Sequence, residues 1–583
     1  MRIPILDDDV RPFEFARSNF QLTSAPCQHV RQGSSMTDQQ ATPTAMPSSE
    51  GNSYLSHRQI LVVLAGLMAG MFLAALDQSI VGVALPRIVS DLGGLEDLSW
   101  VVTAYLLTST ATTPLWGKIS DLYGRRVIFQ AAIVIFIIGS ALCGVSQDLY
   151  QLIGFRALQG IGGGGLFAIA FAVIGDIIPA RERGRYQGYF GAVFGVSSLA
   201  GPLLGGWFTE GPGWRWIFWI NVPIGIAALV VTSIALKLPV VRREHVIDWA
   251  GAATIVGSVS SLLLYLNWAG GVFGWASWQG LSLAIAAVVL AVAFIFIEFG
   301  ATEPIIPMSL FRNRIFSSGT SFSFLMGWSM FGAIIYLPVY LQTAKGMMPT
   351  ESGLAMFPAI AGILTFSIVS GALITRTGRY RIFPIVGSVL LIIGLGLLTQ
   401  LEVTTPYWQI AISAFVLGAG LGFSMQTITV AVQNAVQFRD MGAATSSLTF
   451  TRSLGGAIGT AALGAVLGSR LAHYLGDAVD AATPTNDVEA IRFLPDDVKS
   501  VVLNAYTHAI NDAFLVSIPV AVLALIAAFF IREIPLRTAQ STPAEAPIEV
   551  RVDRERESPT PALSGQYTPA ANPLRATPRP EVE

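Results

Sequence analysis

An all-α polytopic membrane protein with fourteen transmembrane helices is the fold class this sequence predicts, on three observations. Apolar side chains make up 53% of the 583 residues and charged ones only 12%, against about 25% charged in a soluble domain. The mean hydropathy is +0.60. The apolar residues also gather into runs, most close to the twenty or so residues a helix needs to cross hydrocarbon. Backbone groups in lipid must pair within the segment, so each run is a helix. Strands of a β-barrel would alternate polar and apolar residues, which these runs do not. So few charges argue against a soluble enzyme, a nucleic-acid binder and a disordered chain.

In chain order, residues 1–58 are polar and rich in Ser, Thr and Gln, and read as a disordered cytoplasmic segment. They lack the apolar stretch and cleavage site of a signal peptide, and Met1 and Met36 are both candidate starts. The spans follow at 59–84, 98–117, 127–147, 150–175, 187–208, 216–236, 248–268, 278–299, 315–340, 352–374, 381–399, 407–431, 441–467 and 511–532. A Pro-rich, charged segment at 534–583 reads as a disordered tail. With a cytoplasmic N-terminus, the inner loops carry fifteen Lys and Arg and the outer loops six. That bias sets the orientation, and the even number of spans returns the C-terminus to the cytoplasm.

One outer loop is long. Residues 468–510 hold Asp477, Asp480, Asp487, Glu489, Asp496 and Asp497, with VVLNAY as a candidate short helix. The loop reads either as a solvated surface or as an extension that guides a released substrate. An internal echo pairs WGKISDLYGRRVIF after the second span with SGALITRTGRYRIF after the tenth. A plain repeat would separate them by six helices, so the seventh and eighth spans read as an insertion. The expected domains are a six-helix bundle at 59–236, an inserted pair at 237–300 and a second six-helix bundle at 301–533.

The net charge of -2 carries little information, and Cys27 and Cys143 cannot form a disulfide framework. The five histidines lie outside the apolar runs, so no metal site is expected. Gly162–Gly165 lacks the Lys-Ser/Thr ending of a phosphate loop, and no other segment supplies an ATPase motif. No cofactor is expected, and an ion gradient is the expected energy source.

Charged groups inside spans are the candidate functional residues, because lipid tolerates them only when paired or facing a wet cavity. Asp77 is the one acid inside the first span, about 14 Å from its expected outer end at 1.5 Å per residue. It reads as a titrating proton site or a structural ion pair. Arg156 in the fourth span lies at a similar depth and is its candidate partner, with Gln159 able to share the network. The turn of Gly117, Asp121, Gly124, Arg125 and Arg126 reads as a cytoplasmic latch or a topological anchor. In the fifth span Gly195, Gly201, Gly205 and Gly206 offer a smooth packing face, and Pro202 permits a kink. Arg452 in the thirteenth span is a candidate for neutralising an anionic substrate or pairing an acid. Gln78, Gln159, Trp328, Phe331 and Tyr336 join it as substrate-cavity candidates. Glu298, at the cytoplasmic end of the eighth span, is expected to snorkel.

These motifs together resemble the major facilitator superfamily, and within it the fourteen-helix drug:proton antiporters, which are bacterial multidrug exporters. LDQSIVGVALP at Leu76–Pro86, GKISDLYGRR at Gly117–Arg126, RALQGIGGG at Arg156–Gly164, GVSSLAGPLLGGW at Gly195–Trp207 and WRWIFWINVPIG at Trp214–Gly225 carry the resemblance, in that order. It spans roughly residues 58–533. Ser79 and Gly82 depart from the Thr and Asn frequent in the family.

The resemblance implies two pseudo-symmetric bundles flanking an inserted helix pair, alternating access, and export of lipophilic or cationic compounds in exchange for protons. It implies proton coupling for Asp77 and Arg156, cytoplasmic gating for the Asp121 turn, and the antiporter motif for the fifth span. The expected setting is the bacterial plasma membrane. The expected partners are protons, membrane lipids and a lipophilic small molecule or lipid, without nucleic acid. Loop 468–510 is the candidate contact of a lipoprotein or envelope partner. The alternatives are a lipid, lipopeptide or endogenous-metabolite exporter of the same fold and, in a different class, a non-transporting scaffold or sensor. No nucleophile-base-metal constellation supports an enzyme.

Overall fold

The computed structural model describes residues 57–92, 99–236, 248–268, 274–476 and 495–536. The two tails, the segment 237–247 and the middle of the long acidic loop lie outside these, together with the expectations placed on them. Among the described residues every regular element is a helix.

The helices are α1 (His57–Leu92), α2 (Ser99–Tyr123), α3 (Arg125–Gly144), α4 (Leu149–Ile177), α5 (Ala180–Glu210), α6 (Trp216–Trp219), α7 (Asn221–Ala235), α8 (Trp249–Trp268) and α9 (Trp278–Gly300). They continue with α10 (Arg314–Thr343), α11 (Pro349–Ala355), α12 (Phe357–Thr377), α13 (Ile382–Leu398), α14 (Tyr407–Ala435), α15 (Met441–Leu475) and α16 (Asp496–Phe530). Each expected span coincides with one of these, or with a consecutive pair in the cases of α6 with α7 and α11 with α12. Twelve are long and apolar enough to cross a membrane, by length and composition. The other two are α2, which is interrupted by polar residues, and the 17-residue α13.

Two boundaries differ from the sequence expectation. Helix α1 runs on to Leu92, so Asp77 stands near its middle, about 22 Å along the axis from that end. Helix α16 begins at Asp496, and VVLNAY is part of its continuous 35 residues rather than a separate short helix. With α15 reaching Leu475, both ends of the 468–510 loop are helical. Polar residues cost a helix little where its backbone is already paired, so hydropathy under-reports such extensions.

Helix α1 packs on α4, α5 and α7, and α4 on α2 and α3, while α10 packs on α14, α15 and α16, and α14 on α12 and α13. Contacts cross between these groups from α5 to α11, α12 and α14, from α2 to α15, and from α4 to α15. Helices α8 and α9 pack on each other, and α8 leans on α2 and α15.

The glycine run of α4 is a packing surface. A Cβ on Gly162 would lie 2.6 Å from the α3 backbone at Phe136, and one on Gly165 would lie 2.9 Å from Ala132 and Trp116. Small residues let helix backbones approach where lipid supplies no hydrophobic drive for association. The two echoed turns share a device: Gly124 (φ 96°) joins α2 to α3, and Gly378 (φ 71°) ends α12 before α13. Positive φ at both favours glycine.

Candidate functional site

A buried polar network forms where α1, α3, α4 and α7 meet. Asp77 is fully buried and Arg156 is 1% exposed. The Arg156 Nη1 donates to Asp77 Oδ2 at 2.5 Å and to Gln159 Oε1 at 2.8 Å, and its Nε donates to the Val101 carbonyl at 3.1 Å. The other carboxylate oxygen, Asp77 Oδ1, accepts from Gln159 Nε2 at 2.8 Å and from Asn221 Nδ2 at 3.1 Å. Asn221 also donates to Ser140 Oγ at 3.0 Å. The guanidinium carbon lies 4.3 Å from the centre of the Tyr105 ring, close enough for a cation–π contact.

This charge is paired and its carboxylate fully coordinated, which is how a low-dielectric interior tolerates ions. Sequence reasoning found Asp77, Arg156 and Gln159. It missed Asn221, Ser140 and Tyr105, whose only signal was a polar atom within an apolar run. Gln78 is half-buried beside Asp77.

The second cluster stands where α2 meets α15. The Asp121 carboxylate accepts the backbone N–H of Gly442 at 3.2 Å and of Ala443 at 2.9 Å. A carboxylate on the first exposed N–H groups of a helix is favoured by both hydrogen bonding and the helix dipole. Arg125 forms an ion pair with Asp121, and its Nε donates to Asp176 Oδ2 of α4 at 2.7 Å. A Cβ on Gly117 would clash with Ser446 and lie 2.7 Å from the Gly442 carbonyl, so only glycine lets α15 come this close. Arg126 lies outside the cluster and donates to the Ser233 carbonyl of α7 at 2.7 Å.

Nearby, Gln187 of α5 donates to Gln433 of α14 at 3.1 Å, and Gln433 donates to the Phe171 carbonyl of α4 at 2.9 Å. Asp176, Gln187 and Gln433 were not singled out from the sequence.

Helix α5 bridges two partners. Gly201 faces α1, where a Cβ would lie 2.6 Å from the Ser79 Cβ, and Ser79 Oγ donates to the Ser197 carbonyl at 2.9 Å. Gly195 faces α12, where a Cβ would lie 2.5 Å from the Ile360 Cγ2. Pro202 packs on Gly353 of α11, Gly205 is buried, and Gly206 has only Thr350 within 4 Å of a Cβ position.

The aromatic candidates sit apart from Asp77, along the α10–α15 contact. Trp328 covers Gly459 and Phe331 covers Gly456, while the Tyr336 hydroxyl donates to the Thr460 carbonyl at 2.8 Å. The Trp328 Nε1 is buried without a hydrogen-bond partner among the described residues. Arg452 is half-buried, with its backbone against Gly327, and makes no ion pair or side-chain hydrogen bond among the described residues. Glu298 does not snorkel. It is 3% exposed, and its Oε1 accepts the backbone N–H of Ile305 at 3.0 Å, because the chain after α9 folds back over it. Among the described residues no group of three or more His, Cys, Asp or Glu is arranged to hold a metal ion.

Comparison with known proteins agrees with this architecture. The family model of the Major Facilitator Superfamily matches residues 67–460. An uncharacterised MFS-type transporter of Mycobacterium tuberculosis is 39% identical over 500 residues, covering 85% of this chain and 73% of the relative. The Bacillus subtilis multidrug transporter protein MdtP is 40% identical over 432 residues, covering 74% of this chain and 79% of the relative. Among solved structures, the proton:xylose symporter XylE superposes with a TM-score of 0.55 at 14% identity, over 82% of this chain and 96% of that one, a likeness of fold. The chain belongs to the major facilitator superfamily: it is a multi-pass membrane protein and a secondary transporter of small molecules rather than an enzyme.

Proposed function

We propose that the protein is a proton-coupled exporter of lipophilic, often cationic, small molecules, working by alternating access as an antiporter in the bacterial plasma membrane with both termini in the cytoplasm. The observation that carries this reading is the Asp77–Arg156 pair, a carboxylate and a guanidinium enclosed by protein at mid-helix depth. A proton arriving at Asp77 cancels the attraction and leaves Arg156 buried without its counter-ion, an arrangement that favours rearrangement of α1 against α4.

The Asp121 cluster supplies the gate in this reading. It joins α2 to the start of α15 and so holds that end of the molecule closed. Helix α4 links the two clusters, since it carries both Arg156 and Asp176, twenty residues or about 30 Å apart along one helix. A tilt of α4 on protonation of Asp77 would therefore be felt at Arg125. We assign residues 59–236 and 301–533 as the two moving halves, with the 237–300 pair between them, and α5 as a bearing whose glycines allow sliding without interlocked side chains.

Relatives named as multidrug and efflux transporters support a small lipophilic cargo. The test is reconstitution into proteoliposomes with an imposed pH gradient. Proton-driven movement of lipophilic cationic dyes, abolished when the gradient is collapsed, is expected. Dye movement indifferent to the gradient would refute the coupling.

A further inference from the structure

Apart from the two clusters above, two acids meet at the foot of the inserted helix pair, on the side facing α2. Asp248 precedes α8, and its Oδ1 accepts the Gly251 N–H at 2.8 Å. Glu298 stands in the last turn of α9, and its Oε1 accepts the N–H groups of Ile305 and Ile306 at 3.0 and 3.4 Å. Each acid thus has one oxygen anchored by backbone. The other oxygens, Asp248 Oδ2 and Glu298 Oε2, are buried and have no hydrogen-bond partner among the described residues.

The two carboxyl groups converge over Gly251. A Cβ there would collide with Asp248 Oδ2 and lie 3.3 Å from Glu298 Oε1. Among the described residues, the charged groups packed against them are Lys118 of α2 and Glu303 of the segment after α9, and these pair with each other at 3.2 Å. Two carboxyl groups held over one glycine repel each other as anions, and a proton on one lets it donate to the other. A proton held between the two groups would supply the donor that those bare oxygens lack among the described residues.

We propose that Asp248 and Glu298 form a second proton-binding site, a carboxyl–carboxylate pair that shares one proton through its two bare oxygens and fastens the inserted helix pair to α2. A small cavity lined by Leu115, Lys118, Asp248, Trp249, Glu303 and Ile305 lies beside it. Loss of the proton leaves a pair of adjacent anions next to Lys118, which then compete with Glu303 for the ammonium. The segment clamped by Glu298 and the end of α2 that bears Lys118 are loosened together. Lys118 stands three residues before Asp121, so the gate helix becomes responsive to pH on that side of the membrane.

The test needs neither substrate nor gradient, so it stands or falls separately from the export reading. Infrared difference spectra of the purified full-length protein at neutral pH read the carbonyl stretch of a protonated carboxylic acid. One such band is expected in the wild-type chain. It should be lost in Glu298→Gln, which removes the acid, and in Asp248→Asn, whose amide satisfies an ionised Glu298. An acid region unchanged by either substitution would overturn the proposal.

Thermal melting supplies the second readout. Glu298→Gln keeps the Oε1 acceptor and offers an N–H to Asp248, so it should melt at or above the wild type, by a margin that widens as pH rises. A melting point below the wild type at every pH would mean that Glu298 serves as an anion toward Lys118, and would overturn the shared proton.

Discussion

Asp121→Asn removes the charge that ties α2 to α15 while keeping the side chain's size. The carboxylate accepts two backbone N–H groups at the start of α15 and pairs with Arg125. An amide has one acceptor oxygen, so one of the two N–H bonds is lost, and the favourable end of the helix dipole is no longer met by a charge. A charge-assisted hydrogen bond contributes about 1.5–3 kcal/mol, and a carboxylate at a partly buried helix N-terminus up to about 2 kcal/mol. The two overlap, so we expect a loss of about 2–3 kcal/mol. Arg125 keeps Asp176, which limits the damage to the fold.

These contacts exist only while the α2 end touches α15. The loss therefore falls on the closed state and shifts the equilibrium toward the open one by roughly 30- to 150-fold at about 1.4 kcal/mol per decade. Spin labels at Tyr123 and Phe438, both exposed and flanking the cluster on either side, read this as a distance distribution. Cys27 would be replaced for the labelling, and Cys143 is buried. A folded Asp121→Asn protein should gain a long-distance population. An unchanged distribution would refute the latch.

Gly124→Ala should cost about 1–3 kcal/mol, because φ 96° with ψ 135° is backbone that an L side chain adopts only under strain; melting of the purified variant measures it. Gly201→Val would drive two methyl groups into Ser79 of α1, at about 1–3 kcal/mol of overpacking. Transport should fall more than expression does, since the contact lies between helices expected to move. Arg452→Gln should leave the melting temperature nearly unchanged, because no partner among the described residues is left behind. Its effect should appear as altered preference between anionic and cationic dyes in the same transport assay.

The sequence carried the helices well, for a physical reason. A span must be apolar along its whole length, and that demand is written into composition. The ends were less visible: Asp91 at the end of α1 and Asn504, Asn511 and Asp512 in α16 are helical yet polar, and hydropathy discards them. Asp77 and Arg156 were legible because charge inside a span is rare and their depths agreed. The rest of their network was not, since Asn221 and Ser140 are neutral and carry no charge signal within their apolar runs.

What Asp121 touches was hidden for a different reason. Its partners are backbone N–H groups more than three hundred residues away, and any residue supplies those. Glu298 misled because its depth in the span suggested a path to water, whereas Ile305 and Ile306 close over it.

The account rests most heavily on the carboxylate of Asp77. Asp77→Asn leaves Arg156 buried without an anion, a destabilisation of about 3–5 kcal/mol. The Asp77→Asn, Arg156→Gln double variant, which removes both charges, should regain part of it. Gradient-driven dye transport is then measured in proteoliposomes for whichever of the two remains folded. The account predicts that the imposed pH gradient no longer drives uphill movement, although dye still binds. Uphill transport at the wild-type rate would contradict it.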